Sequence, residues 1–224
     1  MSEHMALENL TVLDLTRVLA GPFCTMMLAD MGANVIKIEV PKGGDDTRSY
    51  PPFRAKNLNG ERESVYFANI NRNKKGITLN LKAPEGKEIF KELVKKADIV
   101  VENYRPGVMD KLGLGYDVLK EINPRIIYAA VSGFGCYGPY HLRPGYDILA
   151  QAMGGMMSIT GSKGGEPTRA GSALGDILGG LHVTIGILAA VNARTITGKG
   201  QRVDVSLMDS MIAATENTAL KYLE

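Results

Sequence analysis

Asp176 closes the glycine-punctuated stretch Ala170-Gly-Ser-Ala-Leu-Gly-Asp176, opens an apolar segment from Ile177 to Ala193, and has no acidic neighbour before Asp204. An aspartate at such a junction is either a helix N-cap, whose oxygen accepts the unsatisfied amide hydrogens of the first turn, or a poised chemical group. Spacing alone favours the cap. The two roles are compatible: a helix N-terminus stabilises a carboxylate charge, and the glycines at 171, 175, 179 and 180 let a substrate and a second backbone come close. Two further groups could bind rather than react. The run Arg72-Asn-Lys-Lys75 ahead of a strand can meet phosphates as point charges, or can be a solvated edge. The turn Asn103-Tyr-Arg-Pro-Gly107 follows a strand, and open α/β sheets bind ligands beyond the carboxyl ends of their strands; its plainer reading is a Pro-Gly turn.

The elements that must position these residues follow from periodicity. Thr11 to Leu15 reads as a buried strand, Gly21 to Met31 as a helix and Asn34 to Glu39 as a second strand, which together make a βαβ unit with parallel strands. Glu39 ends its strand as in dinucleotide-binding folds, but the GxGxxG fingerprint fails, because Gly21 stands alone and Pro22 follows it. Val40 to Arg72 loses periodicity and fills with Pro and Gly, which predicts a long surface excursion of the functional or interfacial kind. Strands are expected at Ile77–Leu81, Asp98–Glu102, Arg125–Ser132 and Gln201–Leu207, and helices at Pro84–Lys96, Tyr116–Ile122, from about Pro144, and at Met208–Glu224. The methionines Met153, Met156 and Met157 read as core filler.

Composition excludes several classes. With 224 residues, 45% hydrophobic and 22% charged, the chain can bury a sizeable core. A net charge of +2 without a strongly basic stretch excludes nucleic acid as a partner. Cys24 and Cys136 have no CxxC spacing, and His4, His141 and His182 form no ligand cluster, so neither a disulfide framework nor a metal is expected and a reducing, cytoplasmic setting is. Ile177 to Ala193 is short of the roughly 20 apolar residues of a membrane span and carries His182, Thr184 and Asn192, so it reads as a buried helix. Residues 1–6 read as a tag or a disordered N-terminus, with Met5 a candidate start.

One ordered set of motifs goes further than any of these signals. Arg17-Val-Leu-Ala-Gly-Pro22, Gly32-Ala-Asn-Val-Ile-Lys-Ile-Glu39, Asn73-Lys-Lys75, Val101-Glu-Asn-Tyr-Arg-Pro-Gly107, Ile122-Asn-Pro124, Gly145-Tyr-Asp147, Gln151, Gly175-Asp176 and Gly198-Lys-Gly-Gln201 together resemble the class III CoA-transferases. This is the formyl-CoA transferase and carnitine CoA-transferase family of the CaiB/BaiF type, and the resemblance runs from about Leu7 to Glu224. It implies an α/β fold, with residues 7–224 as the N-terminal portion of a Rossmann-like large domain: a parallel sheet with flanking helices. It implies a longer enzyme with a small domain and a closing glycine loop further on, working as an interlocked homodimer, so this chain alone is expected to be inactive.

The chemistry the resemblance implies is CoA exchange between an acyl-CoA and a free carboxylic acid, with CoA as substrate and no permanently bound cofactor. Asp176 matches the nucleophile of the Gly-Asp motif and Tyr146 an active-site tyrosine. Val18, Leu19, Ala20, Lys75, Asn103, Arg105 and Lys111 fall at or beside positions that line the CoA site, and Arg72 and Lys74 join Lys75 as candidate phosphate contacts. Leu19 replaces a glutamine of formyl-CoA transferase, which speaks against oxalate, and together with the Met153 to Met157 patch and the absence of an extra cationic group near Tyr146 it turns the expectation towards an apolar or medium-sized acyl group. An acyl-CoA racemase of the same fold is the nearest alternative, but it carries a histidine where this chain has Tyr146, a poor base at neutral pH. An inert CoA-binding module is the other.

Overall fold

The computed structural model of the chain describes residues 4–54, 60 and 62–223. The predicted βαβ unit opens the fold: β1 (Thr11–Asp14) and β2 (Asn34–Glu39) run parallel, joined by α1 (Ala20–Asp30). The remaining strands are β3 (Lys75–Thr78), β4 (Ile99–Glu102), β5 (Ile127–Ser132) and β6 (Arg202–Ser206). They form one six-stranded sheet in the order β3-β2-β1-β4-β5-β6, parallel throughout. The chain winds outward from β1 in one direction, then returns to β4 and winds the other way. That reversal leaves a crevice beyond the carboxyl ends of β1 and β4, where open α/β sheets bind ligands.

Both faces of the central strands are covered, so their residues are apolar in succession rather than alternately. On one face Val12, Val35, Ile99 and Ile127 pack with Leu28 of α1 and with Val183 and Ile187 of α7 (Leu174–Thr197). On the other, Leu13, Val100 and Tyr128 meet Phe90 and Val94 of α3 (Pro84–Val94) and Leu119 of α5 (Tyr116–Ile122). Pro84 starts α3 without needing an amide hydrogen there.

Four features depart from the sequence-based expectation. The third strand lies at Lys75–Thr78 instead of Ile77–Leu81; all four residues are exposed at the sheet edge, so burial leaves no hydrophobic mark on them. Within the excursion from Val40 to Arg72, α2 (Val65–Ile70) forms because Ser64 Oγ accepts the Phe67 amide hydrogen at 3.2 Å; residues 55–59 and 61 lie outside the described residues. A short helix, α4 (Val108–Leu112), follows the Pro-Gly turn between Gly107 and Gly113, both with positive φ. At the N-terminus Met5 packs on Gly32, where an added Cβ would lie 2.4 Å from the Met5 Cβ, while residues 1–3 lie outside the described residues.

The chain then passes through α6 (Asp147–Met153) into α7, and ends in α8 (Leu207–Leu223). Glycines decide how closely α7 approaches. A Cβ on Gly180 would stand 2.8 Å from the Ala20 carbonyl oxygen of α1, and one on Gly179 2.5 Å from Leu207 Cδ2. At the other end Arg194, 6% exposed, pairs with Asp98 at 3.0 Å and donates to the Arg125 carbonyl at 3.1 Å, which ties α7 to the amino ends of β4 and β5. Gly180→Val should therefore push α7 off α1 and cost about 1–3 kcal/mol, as overpacked cores do. Urea unfolding would read this as a lower midpoint with an unchanged slope.

Candidate active site

A cavity of about 900 Å³ fills the crevice at the carboxyl ends of the strands. Its walls are Thr16 to Ala20 after β1, residues between Ile38 and Asp46 after β2, Leu79 to Lys82 after β3, Asn103 to Pro106 after β4, and Ser132 and Gly133 at the end of β5. Arg143 to Tyr146 and Asp176 close it. Asn103 bridges the switch point: its side chain accepts the Arg17 amide hydrogen at 2.8 Å and donates to the Arg17 carbonyl at 2.7 Å.

Asp176 is not the N-cap that spacing favoured. Ala173 holds the cap position, no side chain caps α7, and Asp176 lies in the first turn with its carboxylate on the cavity. The capping work is done from another helix. Asp147, buried at the start of α6, accepts the Gly175 amide hydrogen at 2.8 Å. Gln151 donates to Asp147 at 2.8 Å and to the Ser172 carbonyl at 3.2 Å, and accepts the Ala170 amide hydrogen at 2.9 Å. Arg169 adds an ion pair to Asp147 at 3.4 Å. The loop that carries Asp176 is thus held along its length by two side chains one helical turn apart.

Burial pushes the Asp176 carboxyl up to about 7; the Asp147 charge acts in the same direction and Arg169 opposes both. At neutral pH the group divides between acid and carboxylate, so it can serve as a nucleophile or exchange a proton. Tyr66 of α2 also faces this charge: burial first, then Asp176, raises its hydroxyl to about 12. Sequence reading missed Tyr66, because it sits in an aperiodic segment whose sole signal was the Ser64 cap.

Among the predicted binding residues, Val18, Leu19, Ala20, Asn103 and Arg105 line the same cavity as Asp176 and Tyr146. Arg72, Lys74 and Lys75 do not. They sit at the amino end of β3, the opposite edge of a parallel sheet from the cavity, and each has another partner. Arg72 pairs with Asp30, Lys75 donates to Asn34 at 2.7 Å, and Lys74, its side chain 2% exposed, pairs with the buried Asp14 at 3.0 Å. Lys111 is exposed on α4 and is not part of the lining, although Val108 and Leu112 of that helix are. The cations that do line the cavity are Arg17, Lys42, Lys82, Arg105 and Arg143. A signal existed for Lys82, which follows the third strand as the ligand-binding rule requires, whereas Lys75 opens it. Met153, Met156 and Met157 also lie off the cavity, with Met156 packed against the core.

The chain matches the model of CoA-transferase family III over residues 7–224, and it belongs to that family. It is 50% identical over 225 residues to an acyl-CoA transferase of Fusarium pseudograminearum, covering 99% of this chain and 49% of that protein. It is 48% identical to the succinyl-CoA:mesaconate CoA-transferase of Haloarcula marismortui, covering 97% and 55% of the two. Among solved structures, a CAIB/BAIF family protein from Brucella suis superposes with a TM-score of 0.94 at 45% identity, covering 99% of this chain and 58% of that one. The chain spans about half the length of the curated relatives it matches.

The raised Asp176 pKa has a thermodynamic consequence. Its folded value of about 7 lies above the ordinary 3.8, so the unfolded chain releases this proton first, and stability falls as pH rises from about 4 to about 7. Asp176→Asn removes that penalty and should be more stable than wild type at pH 8, by roughly 1–3 kcal/mol, since each pH unit between two pKa values corresponds to about 1.4 kcal/mol and partial exposure screens it. Thermal melts across pH would show the gap closing towards pH 4; a pH-independent gap would mean that the Asp176 charge is not the cause.

Proposed function

We propose that the whole protein carrying this chain is an acyl-CoA:carboxylate CoA-transferase with Asp176 as its covalent nucleophile. The observation that carries this reading is an uncapped, near-neutral carboxylate sharing one cavity with the cations Arg17, Lys42, Lys82, Arg105 and Arg143. A CoA pyrophosphate and 3′-phosphate are anions of the kind such charges meet, and membership of CoA-transferase family III supports the same substrate.

The chemistry balances without a further reactant. The Asp176 carboxylate attacks the thioester carbonyl, the C–S bond breaks, and CoA leaves as a thiolate from an aspartyl-acyl anhydride. The thiolate attacks the Asp176 carbonyl carbon, and the donor acid leaves as a carboxylate, so the thioester energy is kept on the protein. The acceptor carboxylate then opens the aspartyl-CoA thioester, and the released thiolate attacks the acceptor's carbonyl to give the new acyl-CoA and free Asp176. Asp147 and Gln151 hold the loop still through the Gly175 and Ala170 amide hydrogens, which leaves other amide hydrogens of the glycine-rich loop to meet the developing oxyanions.

The acceptor is proposed to be a dicarboxylic acid. Relatives at 46–48% identity are named for succinyl-CoA with mesaconate or glutarate, and Arg143, three residues before Tyr146, supplies a cation for a second carboxylate. The expected apolar acyl group rested partly on the methionines, which lie away from the cavity.

Asp176→Ala in the whole protein should abolish exchange, and hydroxylamine with acyl-CoA should inactivate wild type by converting the aspartyl-CoA thioester to an aspartyl hydroxamate, visible in the intact mass. Near-normal exchange by the alanine variant would sink the mechanism. The position of the phosphate contacts is tested separately. Arg105→Ala should weaken CoA by about 1.5–3 kcal/mol, the usual worth of a charged hydrogen bond, and weaken a pantetheine-length analogue much less. Lys75→Ala, off the cavity, should leave both affinities alike; calorimetric titration distinguishes the two positions.

A further inference from the structure

Val18 is a β-branched residue with φ +67, a left-handed conformation that such side chains avoid. It persists only where the surroundings over-determine it. Here three side chains grip three successive residues. Lys37 Nζ donates to the Thr16 carbonyl at 2.8 Å, Asn103 holds both backbone groups of Arg17, and Asp45 Oδ1 accepts the Val18 amide hydrogen at 3.2 Å. Lys37 and Asp45 pair with each other at 2.9 Å, their side chains 2% and 0% exposed. Burial opposes the Asp45 charge, but the Lys37 charge and hydrogen bonds from Thr47 hold the carboxyl below its usual range.

This pair is placed oddly for a structural brace. It lies under the rim of the cavity, and Asp45 also accepts from the Thr47 amide and hydroxyl, so the turn after β2 and the turn after β1 are fixed relative to each other. The turn after β1 leads straight into α1, whose first turn no side chain caps and whose Leu19 and Ala20 line the cavity. Replacement by apolar residues is often neutral or stabilising for a buried ion pair, so stability alone does not call for these charges.

We propose that Lys37 and Asp45 are a positioning pair for the acyl-CoA site: they hold Val18 left-handed, and so set where Leu19, Ala20 and the start of α1 meet the ligand. The proposal rests on the CoA-transfer reading of the cavity. Lys37 is not among the residues that line the cavity, and Asp45, which is, keeps its side chain buried behind the wall. Their removal acts through Val18, which would relax towards an extended conformation and carry Leu19 out of the wall.

The test uses the whole protein. The double variant K37M/D45A, which leaves no unpaired buried charge, should raise KM for acyl-CoA at least tenfold while kcat changes by less than threefold. Adding V18G should recover most of that loss, because glycine takes a positive φ without a tether. A merely structural pair would lose kcat and melting temperature together, and V18G would recover nothing; either that outcome or an unchanged KM in the double variant overturns the proposal. If K37M/D45A does not fold, the volume-keeping apolar pair K37M/D45L takes its place under the same criteria. Amide hydrogen exchange at Leu19 and Ala20 gives a readout without turnover, expected to quicken at least tenfold in the double variant. A wild type that exchanges no CoA while these amides respond would remove the transfer reading and leave the positioning intact. A wild type that does transfer, with amides that do not respond, would remove the positioning alone.

Discussion

The closeness of α7 to α1 is the constraint on which the site depends. Gly180 lies against the Ala20 carbonyl with no room for a Cβ, so the second turn of α7 meets the first turn of α1, and the starts of two helices from distant parts of the chain lie together at the carboxyl edge of the sheet. One first turn carries Asp176; the other begins at Leu19 and Ala20. A displacement of α7 off α1 would move the carboxylate relative to the loop after β1, which faces it across the cavity. The far end of α7 is anchored separately through Arg194, so the helix has no freedom to slide.

Around this contact the fold buries charge. Asp14 pairs with Lys74 and Asp45 with Lys37, all four side chains buried, and the Asp14 carboxyl, though burial opposes its charge, is held below its usual range by Lys74, Lys37 and hydrogen bonds from Thr16 and Thr25. Buried pairs are weak evidence of stability, because desolvation offsets the attraction. Their geometry is directional, however. Thr25 and Lys74 reach Asp14 from α1 and from the residue before β3, which orients both against β1. Hydrophobic packing supplies most of the driving force for the sheet, and these polar contacts select the arrangement of its loops.

The sheet, the βαβ opening and the helices at Pro84, Tyr116 and Met208 were readable because each left a periodic or capping mark in the residues. β3 was misplaced because an exposed edge strand has no buried face to mark it. α2 was missed because it is short and sits among prolines and glycines, and with it went Tyr66. The resemblance drew attention to Asp176 and Tyr146, and the structure puts both on the cavity. The cationic run is a different case: the resemblance raised Arg72, Lys74 and Lys75 as candidate phosphate contacts, and the structure sets them off the cavity, since charge says nothing about which end of a strand it occupies. Asp147 was noted as a first-turn acid, a local role. Its bond to Gly175, 28 positions away, is a long-range pairing that no local pattern encodes.

The environment of Asp147 and Asp176 resolves an apparent conflict. As the proposed nucleophile Asp176 must be ionised, yet burial and Asp147 both work against ionisation here. A carboxylate left in water would be fully charged at neutral pH but weakly basic, and its hydration shell would have to be shed before attack. Raising its pKa towards 7 costs some of the ionised fraction and gives a more basic oxygen with fewer waters to lose. Arg169 limits how far the shift goes by pairing with Asp147. Asp147 therefore serves twice, once through the hydrogen bond that fixes the Gly175 amide and once through the charge that raises the basicity of Asp176. Position and reactivity at the carboxylate have a common origin in that one buried side chain.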